Sequence, residues 1–364
     1  MSPPTGLSAH FTISSRNHIL ACVNRSAHPR VSIIVLNWDN AEETLECLDS
    51  LYRIDYPNFE VLVVDNGSRD GSPDVIEREC PRVELIRIPE NCGFSRANNV
   101  GIRHVAGRGT DYCLLLNNDT VVDPRILAEL TDAARTLPDA GFLGARIYYY
   151  AEPRRIWAAM ARWDPEACVF EHIGNNEMDD PEKFGAVRET DYASGCALFF
   201  GMPLVDRIGL LEPRFYCYFE EVDWCFRALR NGFRNYYVPN ARLWHKVSVA
   251  YGGNESPVIR YFRTRNTLLW ARRNLPPRQR RGVRKRLFRE ALSGFSRDAL
   301  ASYECSLPKA LYWRILATRK DAFAMAGLLG LRDYFLRRFG DCPERIKSAL
   351  RDNRRVYDRI RGAE

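Results

Sequence analysis

Three short stretches place carboxylates and amides where they could do chemistry. Residues 61–68 (VLVVDNGS) run an apolar segment into Asp65, residues 114–119 (LLLNND) run another into Asn117, Asn118 and Asp119, and residues 219–227 (FEEVDWCFR) gather Glu220, Glu221 and Asp223 beside Trp224. A carboxylate at the end of a strand can accept from the N–H of a base or from a ribose hydroxyl, and it can equally shape an Asx-turn. One ionised carboxylate with neighbouring amide oxygens suits a hard cation, Mg²⁺ or Mn²⁺, and leaves positions open for the oxygens of a diphosphate. A lone strand-end aspartate is more often structural, so Asp119 needs partners. His245, in residues 242–246 (RLWHK), is the candidate third ligand, its plain alternative being a buried, hydrogen-bonded histidine. Acids in the first turn of a helix favour its N-terminus. That accounts for the charge of Glu220, Glu221 and Asp223 but not for Phe215, Tyr216, Tyr218 and Phe219 around them. A glutamate beside an aromatic cleft, ionised at neutral pH from an ordinary pKa of about 4.3, can take a proton from an attacking hydroxyl.

The elements that would position these groups alternate. Strands are predicted at 31–36, 59–64, 83–88 and 112–116, and helices at 41–51, 72–80, 95–105 and 126–137. Such alternation, with strands apolar throughout, predicts an α/β fold with a mostly parallel central sheet flanked by helices and ligands beyond the carboxyl ends of the strands. Residues 91–101 (NCGFSRANNVG) join the third strand to the third helix. There Gly93 permits close backbone approach, while Ser95, Arg96 and Asn98 stand where a nucleotide would meet the helix start. Helix capping is the plain alternative. Aromatic-rich segments at 142–150 and 191–200 predict mixed sheet and loops over the site, and a helix is predicted over 222–229. From residue 258 the pattern becomes helical and basic, broken at Pro276-Pro277, with a ten-residue apolar patch at 322–331 that suits a buried or interfacial helix.

Composition bounds the rest. A chain of 364 residues, 46% hydrophobic, has enough apolar content for a globular core. Eleven scattered cysteines without a CxxC pair fit neither a disulfide framework nor a zinc site, so a reducing, cytoplasmic setting is expected, with no leader peptide. No apolar run approaches the roughly 18 residues of a membrane span. The net charge of +7 hides an asymmetry: residues 258–364 hold 27 Lys and Arg against 10 Asp and Glu, and residues 1–257 hold 26 against 36. The excess can reflect base composition and solvated helix faces. Read functionally, it predicts peripheral contact with anionic lipid headgroups or phosphate-bearing substrates, and not with nucleic acid, whose modules are missing. The expected organisation is a loose tail at 1–30, a catalytic domain at 31–257 and a basic helical region at 258–364.

Residues 31 to about 275 resemble glycosyltransferase family 2 on the nucleotide-diphospho-sugar transferase (GT-A) fold, most nearly its bacterial rhamnosyltransferase-type members. The resemblance rests on VSIIVLNWDN, VLVVDNGSRDGS, NCGFSRANNVGI, LLLNNDTVVDP, YASGCALFF, FEEVDWCFRALRNGF and RYFRTRNTLLWARRN together. It implies that Asp65 contacts the nucleoside base, that Asn37, Asp39, Gly93, Arg96, Asn98 and Asn118 belong to the nucleotide-sugar site, and that Asn117 and Asp119, with His245, form the metal–diphosphate site. It also implies that Glu221 is the catalytic base and that the reaction inverts the sugar's anomeric configuration. Glu220, Asp223 and Trp224 would position the acceptor and the active-site helix. Two positions depart from the family pattern: Asn117 replaces the usual first Asp of the metal motif, lowering ligand charge, and Glu221 replaces the usual Asp, adding about 1 Å of reach.

The expected activity is transfer of a sugar, with rhamnose the candidate at family level, from a UDP- or dTDP-sugar to a hydroxyl of a cell-surface glycan or its lipid-linked precursor, with Mn²⁺ or Mg²⁺. A sugar-1-phosphate nucleotidyltransferase would share the fold type, but Asn37-Trp38-Asp39-Asn40 is not its Gly-rich triphosphate loop. A catalytically inactive nucleotide-sugar-binding subunit is the non-enzyme alternative, resting on the Asn117 and Glu221 departures.

Overall fold

The computed structural model describes residues 28–247, 256–293 and 322–348; all but the last three residues of the expected N-terminal tail lie outside them. The first half alternates as the sequence predicts: β1 (Val31–Asn37), α1 (Ala41–Leu51), β2 (Phe59–Asp65), α2 (Ser72–Glu79), β3 (Glu84–Arg87), α3 (Phe94–Ala106), β4 (Tyr112–Asn117), β5 (Thr120–Val122) and α4 (Ile126–Thr136). Then follow β6 (Ala140–Tyr149), β7 (Ile156–Ala158), β8 (Met160–Asp164), β9 (Val169–Ile173), α5 (Pro181–Phe184), β10 (Arg188–Thr190), β11 (Ala197–Gly201), α6 (Met202–Ile208), α7 (Glu220–Arg230), β12 (Arg234–His245), α8 (Pro257–Asn274), α9 (Pro277–Ser293) and α10 (Ala322–Phe335).

The main sheet has the order β10-β12-β6-β11-β4-β1-β2-β3. Strands β3, β2, β1 and β4 are parallel, and β11 runs antiparallel between β4 and β6. Register aligns the carboxyl ends: Asn37 lies beside Asp65, and Leu36 beside Asn117. Both faces are covered. Ile33 and Val35 pack with Leu48, Ile126 and Leu130 on one side, while Ile34 and Leu115 pack with Ala97, Ile102 and Trp224 on the other. Each such fully buried aliphatic side chain contributes about 2 kcal/mol, which is why these strands read as unbroken apolar runs.

The basic region does not begin where packing ends. Ser256 caps α8 by accepting from the Val258 N–H, with Pro257 in the first turn. Leu268, Leu269 and Trp270 of α8 then share one core with Phe215 and Val222 at the start of α7. The expected boundary at 257 therefore marks a change of composition rather than a break between cores. The apolar patch at 322–331 forms most of α10, which lies so close on α8 that a Cβ at Gly330 would stand 2.8 Å from the Tyr261 carbonyl oxygen.

Candidate active site

A chain of hydrogen bonds ties the strand ends together. Asn118 Nδ2 donates to Thr44 Oγ1 at 2.8 Å, Thr44 Oγ1 to Asn37 Oδ1 at 2.8 Å, and Asn37 Nδ2 to Asp65 Oδ1 at 2.7 Å. Asp65, buried, also accepts from the Ser68 hydroxyl and from the Ser68 N–H at 3.1 Å. A carboxylate has about four lone-pair positions, so three protein donors leave one on Oδ2 for the N–H of a base. Asp39 sits at φ 50 on the exposed loop above and accepts from the Arg69 N–H at 2.7 Å, fixing that loop over Asp65.

Asp119 and His245 are 126 residues apart, yet β5 pairs with β12 so that Thr120 stands opposite His245. Asp119 Oδ2 is 3.1 Å from His245 Nε2, and both residues are buried. Burial disfavours a charged imidazole, but the neighbouring Cys196 sulfur and the Asp119 carboxylate outweigh it and hold the His245 pKa up to about 10. The spot thus favours positive charge. His245 Nδ1 is buried without a partner, and the edge of Trp157 closes the ring from the side. Among the described residues no three His, Cys, Asp or Glu side chains gather as a metal cage. The donor set nevertheless fits a divalent cation held jointly by Asp119, His245 and a diphosphate. Asn117, half-buried at the end of β4, stands next to it in the chain.

Glu220 and Glu221 open α7, as expected. Each has one carboxylate oxygen, Oε2, buried without a partner. Burial, and for Glu220 also the charge of Glu221, raises both carboxyls above the ordinary range; backbone N–H groups at the start of α7 and then Arg263 of α8 draw Glu221 part of the way back down. Glu221 lies against Gly195, whose Cβ, if present, would be 3.5 Å from the Glu221 side chain. The next residue, Cys196, accepts the Asn117 N–H at 2.9 Å and faces His245. The turn at 194–196 therefore touches the base candidate through Gly195 and the metal candidate His245 through Cys196.

Four expected residues are placed differently from the sequence reading. Trp224 does not face an acceptor: it is fully buried against Phe142 and Phe200, its indole N–H bound to the Gly209 carbonyl at 2.7 Å. Asp223 is fully buried and saturated by Arg227, Arg273 and Asn274, so it fastens α7 to α8 and has no site for acceptor. Asn98 is buried and donates within its own helix to the Phe94 carbonyl at 3.0 Å. Helix α3 is apolar where it meets the sheet, and Asn98 lies on that inner side. Gly93, at φ +84, does permit close approach, but of protein: a Cβ there would be 2.5 Å from the Tyr216 ring. Arg96 is exposed at the helix start.

Sequence reasoning missed Asn266 and Arg265. Residues Tyr216, Tyr218 and Phe219, just before α7, all have positive φ, at 66, 69 and 74. Such conformations cost about 1–3 kcal/mol each and persist only when their surroundings hold them. The buried Asn266 amide does so by donating to the carbonyls of Phe215, Cys217 and Tyr218 at 2.8 to 2.9 Å, and Arg265 adds a bond to Phe215. A polar Arg-Asn pair inside an apolar helical stretch, RNTLLW, was the available signal.

Strands β3, β2, β1 and β4 run parallel, with polar side chains at their carboxyl ends and helices on both faces, the architecture of the GT-A fold. Consistent with this, the fold is similar to the mannosyltransferase PcManGT from Pyrobaculum calidifontis, solved with GDP-Man and Mn²⁺, at a TM-score of 0.52 and 18% identity over 85% of this chain and 87% of that one. Residues 32–204 match the family model described as Glycosyl transferase family 2. In sequence it is 28% identical over 213 residues to N-acetylglucosaminyl-diphospho-decaprenol L-rhamnosyltransferase of Mycobacterium tuberculosis, covering 53% of this chain and 68% of that protein. It is 27% identical over 245 residues to the uncharacterized protein y4gI of Sinorhizobium fredii, covering 63% of this chain but only 26% of that much longer relative.

Proposed function

We propose that the protein is a metal-dependent inverting glycosyltransferase that moves a sugar, rhamnose first among the candidates, from a UDP- or dTDP-sugar to a hydroxyl of a cell-surface glycan or its lipid-linked precursor. The observation that carries this reading is the buried Glu221 carboxylate set across the turn at 194–196 from the Asp119–His245 pair. Asp65 accepts from the base, and the Asn37–Thr44–Asn118 chain holds the strand ends in register around the nucleotide. Asp119, His245 and the Asn117 amide would hold Mn²⁺ or Mg²⁺, which supplies Lewis-acid neutralisation of the departing diphosphate. Glu221 takes the proton of the acceptor hydroxyl as that oxygen attacks the anomeric carbon opposite the leaving diphosphate. Its raised pKa makes it a stronger base than an exposed glutamate. The rhamnosyl donor and the lipid-diphosphate acceptor are supported by the mycobacterial relative's name.

Among the described residues no helix is long and apolar enough to cross a membrane. In this reading the protein works at the cytoplasmic face, held peripherally by the basic region from 258 onward. The experiment is thermal unfolding with UDP-, dTDP- and GDP-sugars, each with Mn²⁺, Mg²⁺ or EDTA. Saturation at 100 times Kd adds about 2.7 kcal/mol. A shift with one nucleotide class that EDTA abolishes is the expected result; no shift with any of them overturns the donor site.

A further inference from the structure

Five arginines converge where α8, α9 and α10 meet. Arg272 from the end of α8, Arg280, Arg281 and Arg284 from α9, and Arg337 just past α10 line an open groove of about 620 Å³ with no acidic side chain among the described residues of its wall. Among the described residues none of the five forms an ion pair, whereas Arg273, adjacent to Arg272, binds both Asp223 and Glu212. Helical spacing explains the convergence. On α9, Val283 and Leu287 are buried in the core shared with Trp270, which turns positions 280, 281 and 284 together to the outer side. Like charges so gathered repel one another, and among the described residues no carboxylate pairs with them.

The rim of the same groove is apolar. Phe335 is 50% exposed and Leu336 55% exposed, and Phe288 of α9 lies 5.8 Å from Phe335 between ring centres. Exposed aromatic and aliphatic side chains flanking a cluster of unpaired arginines match one kind of partner, a bilayer whose surface presents phosphates and whose interior begins a few ångströms below them. Arginine also binds phosphate oxygens in a forked geometry that lysine lacks.

We propose that this groove is the membrane-docking site, in which Arg272, Arg280, Arg281, Arg284 and Arg337 hold the phosphates of anionic phospholipid headgroups while Phe335 and Leu336 enter the interfacial layer. The proposal rests on the peripheral-membrane reading of the basic region and narrows it from a charge balance to one surface. Because α8 also carries Asn266 and Arg263, docking through its far end would fix the cleft at a set orientation to the bilayer.

The test is flotation of the full chain with phosphatidylcholine vesicles, with and without phosphatidylglycerol. Two triple variants of equal charge loss are compared: Arg280→Gln/Arg281→Gln/Arg284→Gln in the groove, and Arg278→Gln/Lys285→Gln/Arg289→Gln on exposed positions of α9 outside it. Nucleotide-sugar thermal shifts confirm that both stay folded. The expected result is binding to the anionic vesicles only, weakened about 100-fold by the groove variant at roughly fivefold per arginine, and far less by the other. Phe335→Ser should weaken binding without changing its salt dependence. Equal loss in both triple variants overturns the groove while leaving a diffuse membrane reading standing. No binding of the native chain to either vesicle overturns both. Inorganic diphosphate that stabilises the native chain but not the groove variant, without vesicle binding, would make it a soluble-phosphate site and overturn the lipid assignment.

Discussion

At the carboxyl ends of β1, β2 and β4, polar side chains satisfy one another: Asn118, Thr44, Asn37, Asp65 and Ser68 form a continuous hydrogen-bonded chain with ordinary backbone geometry through the strands. Across the cleft, the start of α7 is the reverse. Glu220 and Glu221 each bury an unpartnered oxygen, and three residues before them hold positive φ. The difference teaches where binding and reactivity are separated. A nucleotide needs a prearranged rim that costs nothing to reorganise, whereas a base needs a carboxylate sheltered from solvent with one oxygen left open to the incoming hydroxyl. That second condition is unfavourable, and α8 supplies the compensation through Asn266, Arg265 and Arg273.

If the two sides divide the work this way, Glu221→Gln should lower sugar transfer about 100-fold or more while the nucleotide-sugar thermal shift persists. Near-normal turnover would remove Glu221 from the chemistry. Asp119→Ala should do the opposite, weakening metal-dependent donor binding about 10-fold or more; titration of donor with and without Mn²⁺ checks it, and identical affinities would sink the metal assignment.

The clamp predicts a smaller, mixed effect. Asn266→Ala leaves the Cys217 and Tyr218 carbonyls without this donor and the Phe215 carbonyl with Arg265 alone, and should cost about 2–3 kcal/mol in denaturant unfolding. It should also lower kcat more than it raises the donor KM, because the α7 side loosens and the strand ends do not. A stability loss with unchanged kcat would make Asn266 purely structural. Gly93→Ala strikes the seam between the sides, forcing a Cβ against Tyr216 at a φ that L residues rarely adopt, and should destabilise by about 1–3 kcal/mol.

The pH behaviour sharpens the contrast least in size but most in sign. Glu221 must be ionised to act, and burial raises its pKa, so transfer should fall as pH drops through a value above the ordinary carboxylate range. Glu220 is raised by burial and by Glu221, so the folded state holds its proton more tightly than the unfolded chain. Its contribution to stability is therefore full below the ordinary glutamate pKa and is lost as pH rises through the raised one. Glu220→Gln should raise the melting temperature at neutral pH and leave it unchanged at acid pH, and melting curves at both would show whether the buried carboxylate carries that cost.

Much of this was legible in the residues. Strands β1 and β4, and the second half of β2, announced themselves as β-branched and leucine runs because both of their faces are buried, and turn residues follow β1 and β2 at the carboxyl end of the sheet. Asp65, Asp119, His245 and Glu221 stood out as candidates because they lie at or beside strand ends and a helix start, where polar side chains collect at the edge of the core. Residue type and helix position do not say which way a helix is rolled, so the burial of Trp224, Asp223 and Asn98 by the roll of α7 and α3 was not legible; Asp223 still positions α7, through Arg227, Arg273 and Asn274. The clamp was equally hidden, since nothing local to Asn266 reveals that its partners are carbonyls 48 to 51 positions earlier.

What the sequence by itself determined is the order of strands and helices and the inventory of chemistry at their ends, because hydrophobic periodicity and turn chemistry are local. What only the tertiary structure decided is which of those groups meet. Asp119 reaches His245 through the pairing of β5 with β12, Glu221 and His245 both touch the turn at 194–196, and five arginines from three helices face one groove. These contacts depend on strand register and helix roll, which are set by packing across the whole core rather than by any segment alone.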